Sequence, residues 1–437
     1  MKISILLCLP LILSLSACGG GSSSTNTNTV VPTTPINPGG TTVTIAGNSG
    51  WIAYQDGVDG NWTALIGATF DVADVNGKFG IAYKCQVRES GADIINIHHL
   101  TLSEYSSLAR PFLAYCDIPV FPAAITATAL NRTAVESALI GWGDLGAAGN
   151  VTAIIGTLDT TGIVDCYGGD IVGITGPPVA GVADAPPTLP STFYIERNVP
   201  CGDRSIDFSG SNAFAAAPPA AITVNGSYLS LSTSFITKAK SGIFTNATNN
   251  VIYAGVPVSQ QLATDGHIAG AINMVSSANE ITAYLGYRRF KNPVNQTLNI
   301  MSAAAPAHTV SIAATSPYKR YTSTWSAYAD PYYSQTTGYS AIYGSGGAVW
   351  HASFTNNWLG GVYSYTLPDF SSIVGWNNAW GISAAQTVTP VLNVYGLPPG
   401  ASWAVNTKSG ADYRNLYDDA FTDGEYGIVA HTLLTRQ

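Results

Sequence analysis

Six histidines, two acidic stretches and a late concentration of tryptophan are the side chains of this sequence that could do chemistry. His98-His99 with Glu104 is the first metal-ligand candidate. Adjacent residues of a strand point to opposite faces, however, so the two imidazoles do not converge on one ion. Asp265-Gly266-His267 reads as a turn carrying a histidine. The chain has no Gly-x-Ser-x-Gly elbow, no His-Glu-x-x-His, no phosphate-binding loop and no Gly-x-Gly-x-x-Gly after a strand. No catalytic residue and no metal ligand is assigned, and no cofactor is implied.

Carboxylates offer two further chemistries. Asp56-Gly57-Val58-Asp59-Gly60-Asn61 and Asp71…Asp74-Val75-Asn76-Gly77 put oxygen ligands on loops, as a calcium site would. Neither has the EF-hand spacing, and Asp and Asn beside Gly are ordinary turn formers, so both are read as turns. Asp418-Asp419 with Asp423 and Glu425 could supply the carboxylate pair of a glycoside hydrolase. The spacing alone fixes no distance between them, and a solvated loop is the plainer reading.

The aromatic residues are unevenly placed. Residues 318–437 hold 13 of the 23 tyrosines and 6 of the 9 tryptophans. Indole and phenol faces stack on sugar rings while Asn and Gln bond hydroxyls, so such a segment is a candidate saccharide platform. Most of these rings are expected in a sandwich core or in cross-strand pairs. Trp376-Asn377-Asn378-Ala379-Trp380 reads as a loop, and Trp376 and Trp380 are the candidate ligand-binding pair.

Strands must position all of these. Phe79, Ile81, Tyr83 and Cys85 alternate with Lys78, Gly80, Ala82 and Lys84, and Trp350, Ala352 and Phe354 alternate with Val349, His351 and Ser353. Asn76-Gly77 reads as a type I′ hairpin joining residues 68–74 to the strand from Lys78. Thr101-Leu102-Ser103-Glu104 is a capping box opening a short helix that Pro111 stops. Short strands between Gly, Pro and Asn clusters continue to the end, the pattern of antiparallel sandwiches. The fold class expected is all-β, with tandem antiparallel β-sandwich-like domains. Boundaries are drawn at 45–122 (with the short helix), 123–225, 226–316 and 317–437. Gly424-Glu425-Tyr426-Gly427-Ile428 echoes Gly77-Lys78-Phe79-Gly80-Ile81, which hints at a reused hairpin.

The first residues give an address. Lys2, the apolar run 3–15 and Leu15-Ser16-Ala17-Cys18 resemble the signal and lipobox of bacterial lipoproteins. The resemblance implies cleavage after residue 17 and a diacylated Cys18. Thirteen residues interrupted by Pro10 are too few to span the ~30 Å of a bilayer core. Residues 18–44 then form a flexible tether of Gly, Ser, Thr, Asn and Pro. Its reach is about 25–30 Å as a coil. By the same resemblance, Gly19 rather than Asp after the lipidated cysteine implies sorting to the outer membrane or cell surface.

Composition agrees with an exported protein. Only 10% of residues are charged, and the formal net charge is −8. An acidic chain without basic clusters is repelled by phosphate backbones, which excludes nucleic acid as a partner. With Cys8 in the signal and Cys18 taking lipid, Cys85, Cys116, Cys166 and Cys201 remain, an even number for an oxidising compartment. Three pairings are open. Cys85–Cys116 and Cys166–Cys201 are favoured because each falls inside one expected domain.

Trp51…Gln55-Asp56-Gly57, Gly77-Lys78-Phe79-Gly80-Ile81-Ala82-Tyr83 and Ile206-Asp207-Phe208 resemble a group of secreted bacterial β-domain proteins. The resemblance covers the first half of the chain and implies no activity. The sequence therefore points to an envelope lipoprotein with a non-enzymatic binding, adhesive or scaffolding role. Its partners are the membrane, through Cys18, and envelope polysaccharide or another envelope protein. The alternative is an envelope enzyme acting on polysaccharide through the late carboxylates. Cys18→Ser should leave an unprocessed or released protein, read as loss of the chain from the membrane fraction.

Overall fold

The computed structural model describes residues 40–47, 49–86, 92–107, 111–114, 116, 123–131, 136–142, 152–155, 161–166, 169–177, 187, 189–237, 242–245, 252–344, 348–399 and 423–434. Cys18 and residues 19–39 of the expected tether lie outside them, as do Asp418 and Asp419, whereas residues 41–44, also expected in the tether, are strand, with Val43 fully buried.

Alternation along the chain becomes strand structure with one buried face. The described chain forms four sandwich units. The first comprises β1 (Thr41–Gly47), β2 (Ile52–Asp56), β3 (Trp62–Ala64), β4 (Thr69–Val72), β5 (Lys78–Gln86), β6 (Asp93–Thr101), helix α1 (Leu102–Ser107) and β7 (Phe112–Ala114). The second comprises β8 (Ala123–Leu130), β9 (Ser137–Trp142), β10 (Thr152–Ile155), β11 (Thr161–Cys166), β12 (Gly169–Gly176), β13 (Thr192–Val199), β14 (Arg204–Asp207) and β15 (Ala213–Ala215). The third comprises β16 (Ala220–Asn225), β17 (Ser230–Ile236), β18 (Gly242–Thr245), β19 (Ile252–Tyr253), β20 (Gly266–Ser276), β21 (Glu280–Phe290) and β22 (Gln296–Asn299). The fourth comprises β23 (His308–Ala314), β24 (Arg320–Trp325), β25 (Gln335–Gly344), β26 (Ala348–Thr355), helix α2 (Asn356–Leu359), β27 (Ser364–Thr366), β28 (Thr389–Leu397) and β29 (Gly424–Leu433).

One topology recurs. In each of the first three units the fourth, first and seventh strands form one sheet, with the first antiparallel to the fourth and parallel to the seventh. The third, second, fifth and sixth strands form the other. The second unit adds β15 beside its sixth strand, β13. The fourth unit keeps the arrangement but fills the seventh position with β23, which precedes β24 and therefore runs antiparallel to it.

The four-stranded sheets of the third, fourth and first units then join edge to edge into a single twelve-stranded sheet. β21 pairs antiparallel with β29 over Glu280–Arg289 and Gly424–Leu433. β26 pairs parallel with β6, from Ala348↔Asp93 to Phe354↔His99. The first and last units of the chain are thus neighbours. The second unit packs on the third through Leu139, Val172, Ile174, Phe193 and Ile195 against Phe235 and Val256.

Several sequence expectations change here. Asn76-Gly77 does not make a hairpin, because β4 belongs to the sheet of β1 while β5 pairs with β2 and β6. Gly77 alone has positive φ (64°), and its N–H donates to Asp74 O at 2.8 Å, closing a turn that carries the chain from one sheet to the other. The break expected at 225/226 is a bend inside the third unit, with Gly226 at φ 119°. Ile222 before it shares a core with Leu231 after it. Likewise β23 pairs with β24 across the break expected at 316/317. The echo between 77–81 and 424–428 falls on a fifth strand and a sixth, which are not equivalent positions.

The capping box does form. Glu104 N–H donates to Thr101 Oγ1 at 3.4 Å, and Glu104 Oε2 accepts from Thr101 N–H at 2.9 Å. Cys85 and Cys116 are disulfide-bonded. Cys201 is also disulfide-bonded, while the side chain of Cys166 lies outside the described residues.

Charge is used at the join of the second and third units. Arg197 Nη1 donates to Asp170 Oδ2 at 2.9 Å and its Nη2 donates to Asp265 Oδ2. Asp170 and Asp265 are 5% and 0% exposed at the side chain. Removing the shared cation leaves two buried carboxylates facing each other. Arg197→Met should therefore cost about 3–5 kcal/mol in urea unfolding, far more than a surface ion pair.

Candidate functional site

The segment between β27 and β28 carries the candidate pair Trp376 and Trp380. It is a chain of short turns: Ile373 N–H donates to Phe370 O, Trp376 N–H to Ile373 O, and Trp380 N–H to Asn377 O. Asn377 Oδ1 accepts from Ala379 N–H at 3.0 Å, which starts the 3₁₀ turn Asn378–Trp380. Trp376 Nε1 donates to Asn378 Oδ1 at 3.0 Å.

This segment lies over the first unit. The Trp376 ring sits 5.0 Å from Trp51, 5.1 Å from Phe370 and 5.4 Å from Trp380. Trp51 Nε1 donates to Val374 O at 3.3 Å. Lys84 Nζ stands 5.3 Å from the Trp380 ring centroid and pairs with Asp93 at 2.8 Å. Below them Ala53, Ala82, Ile95 and Ile97 of β2, β5 and β6 are fully buried. The expectation of a freely exposed pair is corrected accordingly. Both tryptophans are half-buried wedges sealing the join of the first and fourth units, while Asn377 and Asn378 between them are exposed. What faces solvent is the outer margin of two indoles, two amides and one lysine. That set can stack on an apolar sugar face and bond its hydroxyls.

Of the late carboxylates only Asp423 and Glu425 lie among the described residues, and both accept bonds from neighbouring segments. Glu425 Oε1 accepts from Asn299 N–H (2.8 Å), Asn299 Nδ2 (2.9 Å) and Tyr333 Oη (3.2 Å). Its Oε2 accepts from Tyr332 Oη (2.9 Å) and Arg288 Nη1 (3.2 Å). Five donors occupy a side chain that is 5% exposed, leaving no oxygen to take a substrate proton. Burial, and then Glu425, push the Tyr333 hydroxyl well above the ordinary tyrosine range. Asp423 Oδ1 accepts from Lys291 N–H at 2.9 Å.

The remaining candidates also have local partners. Asp56 accepts from Ala73 and Asp74 N–H, and Asp74 from Asn76 and Lys78 N–H, as turn carboxylates do. His98 and His99 face opposite sides of β6, bonding Ser353 Oγ at 2.9 Å and Tyr365 Oη at 2.9 Å. Glu104 is held by Thr101, Thr355 and Asn357. His267 Nε2 accepts from Val256 N–H at 3.0 Å. Among the described residues no group of three or more His, Cys, Asp or Glu is placed to hold a metal ion.

Sequence reasoning missed the Arg197–Asp170–Asp265 join and a buried Asp330. Asp330 accepts from the N–H groups of Ser302, Ala303, Tyr332 and Tyr333. Burial raises its pKa, but these donors outweigh it and hold the carboxyl below its ordinary range. The signal was the scarcity of charge itself: in a chain only 10% charged, Asp170 and Arg197 inside apolar strands are conspicuous.

Fold and site define an all-β, multi-sandwich protein, three of whose units share one long sheet. No family model and no curated protein matches the chain. Among solved structures, the FN1–FN3 domains of chicken CNTN1 are 9% identical over 63% of this chain and 93% of that one, with a TM-score of 0.16. A score of that size carries no assignment. Because its ring packs on Trp51, Phe370, Tyr318 and Trp350, Trp376→Ala should lower stability by about 2–3 kcal/mol, read as a fall in Tm.

Proposed function

We propose that this protein is a lipid-anchored envelope scaffold with a non-enzymatic binding or adhesive role. The tether holds it to the outer membrane or cell surface through Cys18, and the second disulfide of its body joins Cys166 to Cys201. The observation that carries this reading is where the buried and half-buried charges go. Glu425, Glu104, Asp330 and the Arg197 cluster are each consumed in bonding one segment or unit to another. Side chains committed in this way fix relative orientation, as a scaffold requires. The same commitment of Glu425 counts against the polysaccharide-hydrolase alternative.

Envelope polysaccharide is the partner best suited to the outer margin of Trp376 and Trp380 with Asn377 and Asn378. A stacked ring contributes about 1 kcal/mol, so one lost indole weakens binding several-fold to about tenfold. Trp380→Ala is the informative variant, since Trp380 has fewer aromatic neighbours than Trp376. It should reduce retention on immobilised envelope polysaccharide by about that factor while Tm falls by only a few degrees. Undiminished retention by a folded variant would assign both rings to the seam alone.

A further inference from the structure

Three of the chain's six histidines lie in one joint, the parallel pairing of β6 with β26 that ties the first unit to the fourth. His98 faces the core of the first unit, stacked on Tyr83 at 5.6 Å and 5.2 Å from Phe112. His99 faces the other way, into the fourth unit, 4.2 Å from Trp358, 5.3 Å from Phe354 and 5.0 Å from Tyr365. His351 on β26 is 6.5 Å from His98. One ring nitrogen of each (His98 Nε2, His99 Nδ1, His351 Nε2) is buried without a hydrogen-bond partner.

Among the described residues these rings have no carboxylate partner. β3, β7, β25, β26, β27 and α2 contain no charged residue other than His351 itself. Besides one another, the described titratable groups that face the rings are the phenols of Tyr83 on His98 and Tyr365 on His99. On β5, β6 and α1 the charged residues are Lys78, Lys84, Asp93 and Glu104. Asp93 is taken by Lys84, and Glu104 by Thr101, Thr355 and Asn357. The joint of the third and fourth units is built differently. There His431 lies 3.6 Å from Glu280, a carboxylate able to receive its charge.

We propose that the β6–β26 seam is an acid-released joint, in which protonation of His98, His99 and His351 parts the first unit from the fourth while the β21–β29 joint holds. Burial pushes His98 and His99 down to about 3 and His351 down to about 4, the neighbouring histidines adding to the effect at His98. A freed imidazole titrates near 6.5. Below that value the open form binds protons that the closed form refuses. The closed seam is therefore fully favoured above about pH 6.5 and loses ground as pH falls toward the closed-state values. Each imidazole contributes up to about tenfold per pH unit, and three together up to about a thousandfold. At the other joint burial lowers His431 on balance and Glu280 opposes it only in part, so that joint sets one partly compensated imidazole against the three of the seam.

Hydrogen exchange with mass spectrometry on the full chain, corrected for intrinsic exchange, tests this between pH 7 and pH 5. Amides of Asp93–His99 and Ala348–Phe354 should lose at least about a hundredfold in protection, while those of Glu280–Arg289 and Gly424–Leu433 keep theirs. His98→Gln with His99→Gln and His351→Gln should abolish the loss. Should that triple variant not fold, His351→Gln alone, at the half-buried ring, should flatten the slope by about tenfold per pH unit. His267→Gln, outside the seam, should leave the slope as it is. Loss of protection at both joints together, a seam still protected at pH 5, or an unchanged slope in His351→Gln would each overturn the proposal.

Discussion

Backbone hydrogen bonding along sheet edges is the constraint on which the rest of this molecule depends. A sandwich has open edges, and an unpaired edge invites pairing with any passing strand. Here the sixth strand of every unit is covered. β6 is covered by β26, β13 by β15 of its own unit, and β21 and β29 by each other. Three of the four coverings are made between units, so protecting the edges and assembling the units are one event. Of the two ends of the long sheet, β3 is only three residues long and β18 lies against the second unit. Short and covered ends are how a sheet of this width stays finite.

Side chains follow from that arrangement. A four-stranded sheet in an isolated sandwich has one dry face, but that of the first unit has two. Phe79, Ile81 and Tyr83 meet the sheet of β1, while Ala53, Ala82, Ile95 and Ile97 meet the fourth unit. This is why β5 reads as buried along most of its length rather than at alternate residues. Small residues fill the second face because an aromatic segment from the fourth unit must lie on it. The tryptophan surplus late in the sequence is the other half of the same contact. Few charges fit such interiors, and those present are bonded from several sides, as buried carboxylates must be.

What was legible in the sequence is what depends on near neighbours. Alternation at Phe79–Cys85 and Trp350–Phe354 gave the strands, and Thr101 with Glu104 gave the helix start. Asn76-Gly77 gave a turn but not the sheets on either side of it, because φ and ψ at a turn do not name the partners of the strands it joins. The breaks at 225/226 and 316/317 were placed on local bends for the same reason. The recurrence of one topology left no trace in residue identities, since a seven-strand order can be specified by many patterns of similar apolarity. Trp376 and Trp380 were found as a pair in a loop, but their burial is set by Trp51, more than 300 positions away. Glu425 looked like a candidate acid only because Asn299, Arg288, Tyr332 and Tyr333 are distant in the chain.

Chain order adds a final consequence. Units follow one another in sequence, yet the first and the fourth are joined directly, so the chain closes on itself. The pairing that closes it is parallel, the slightly weaker geometry per residue, and needs residues about 250 positions apart to meet. Loop-closure entropy opposes such contacts until much else is in place, which puts this seam late in assembly. A late, weaker seam needs reinforcement from side chains, and it has it in the Trp51–Trp376 contact and the bonds of Glu104 to Thr355 and Asn357. Neutral imidazoles suit the same place. They pack like aromatic rings on Phe354 and Tyr83 and still bond Ser353 and Tyr365, provided they stay uncharged. The seam is thus both the last contact the fold can make and, among the described residues, the one with no carboxylate set aside to balance a proton.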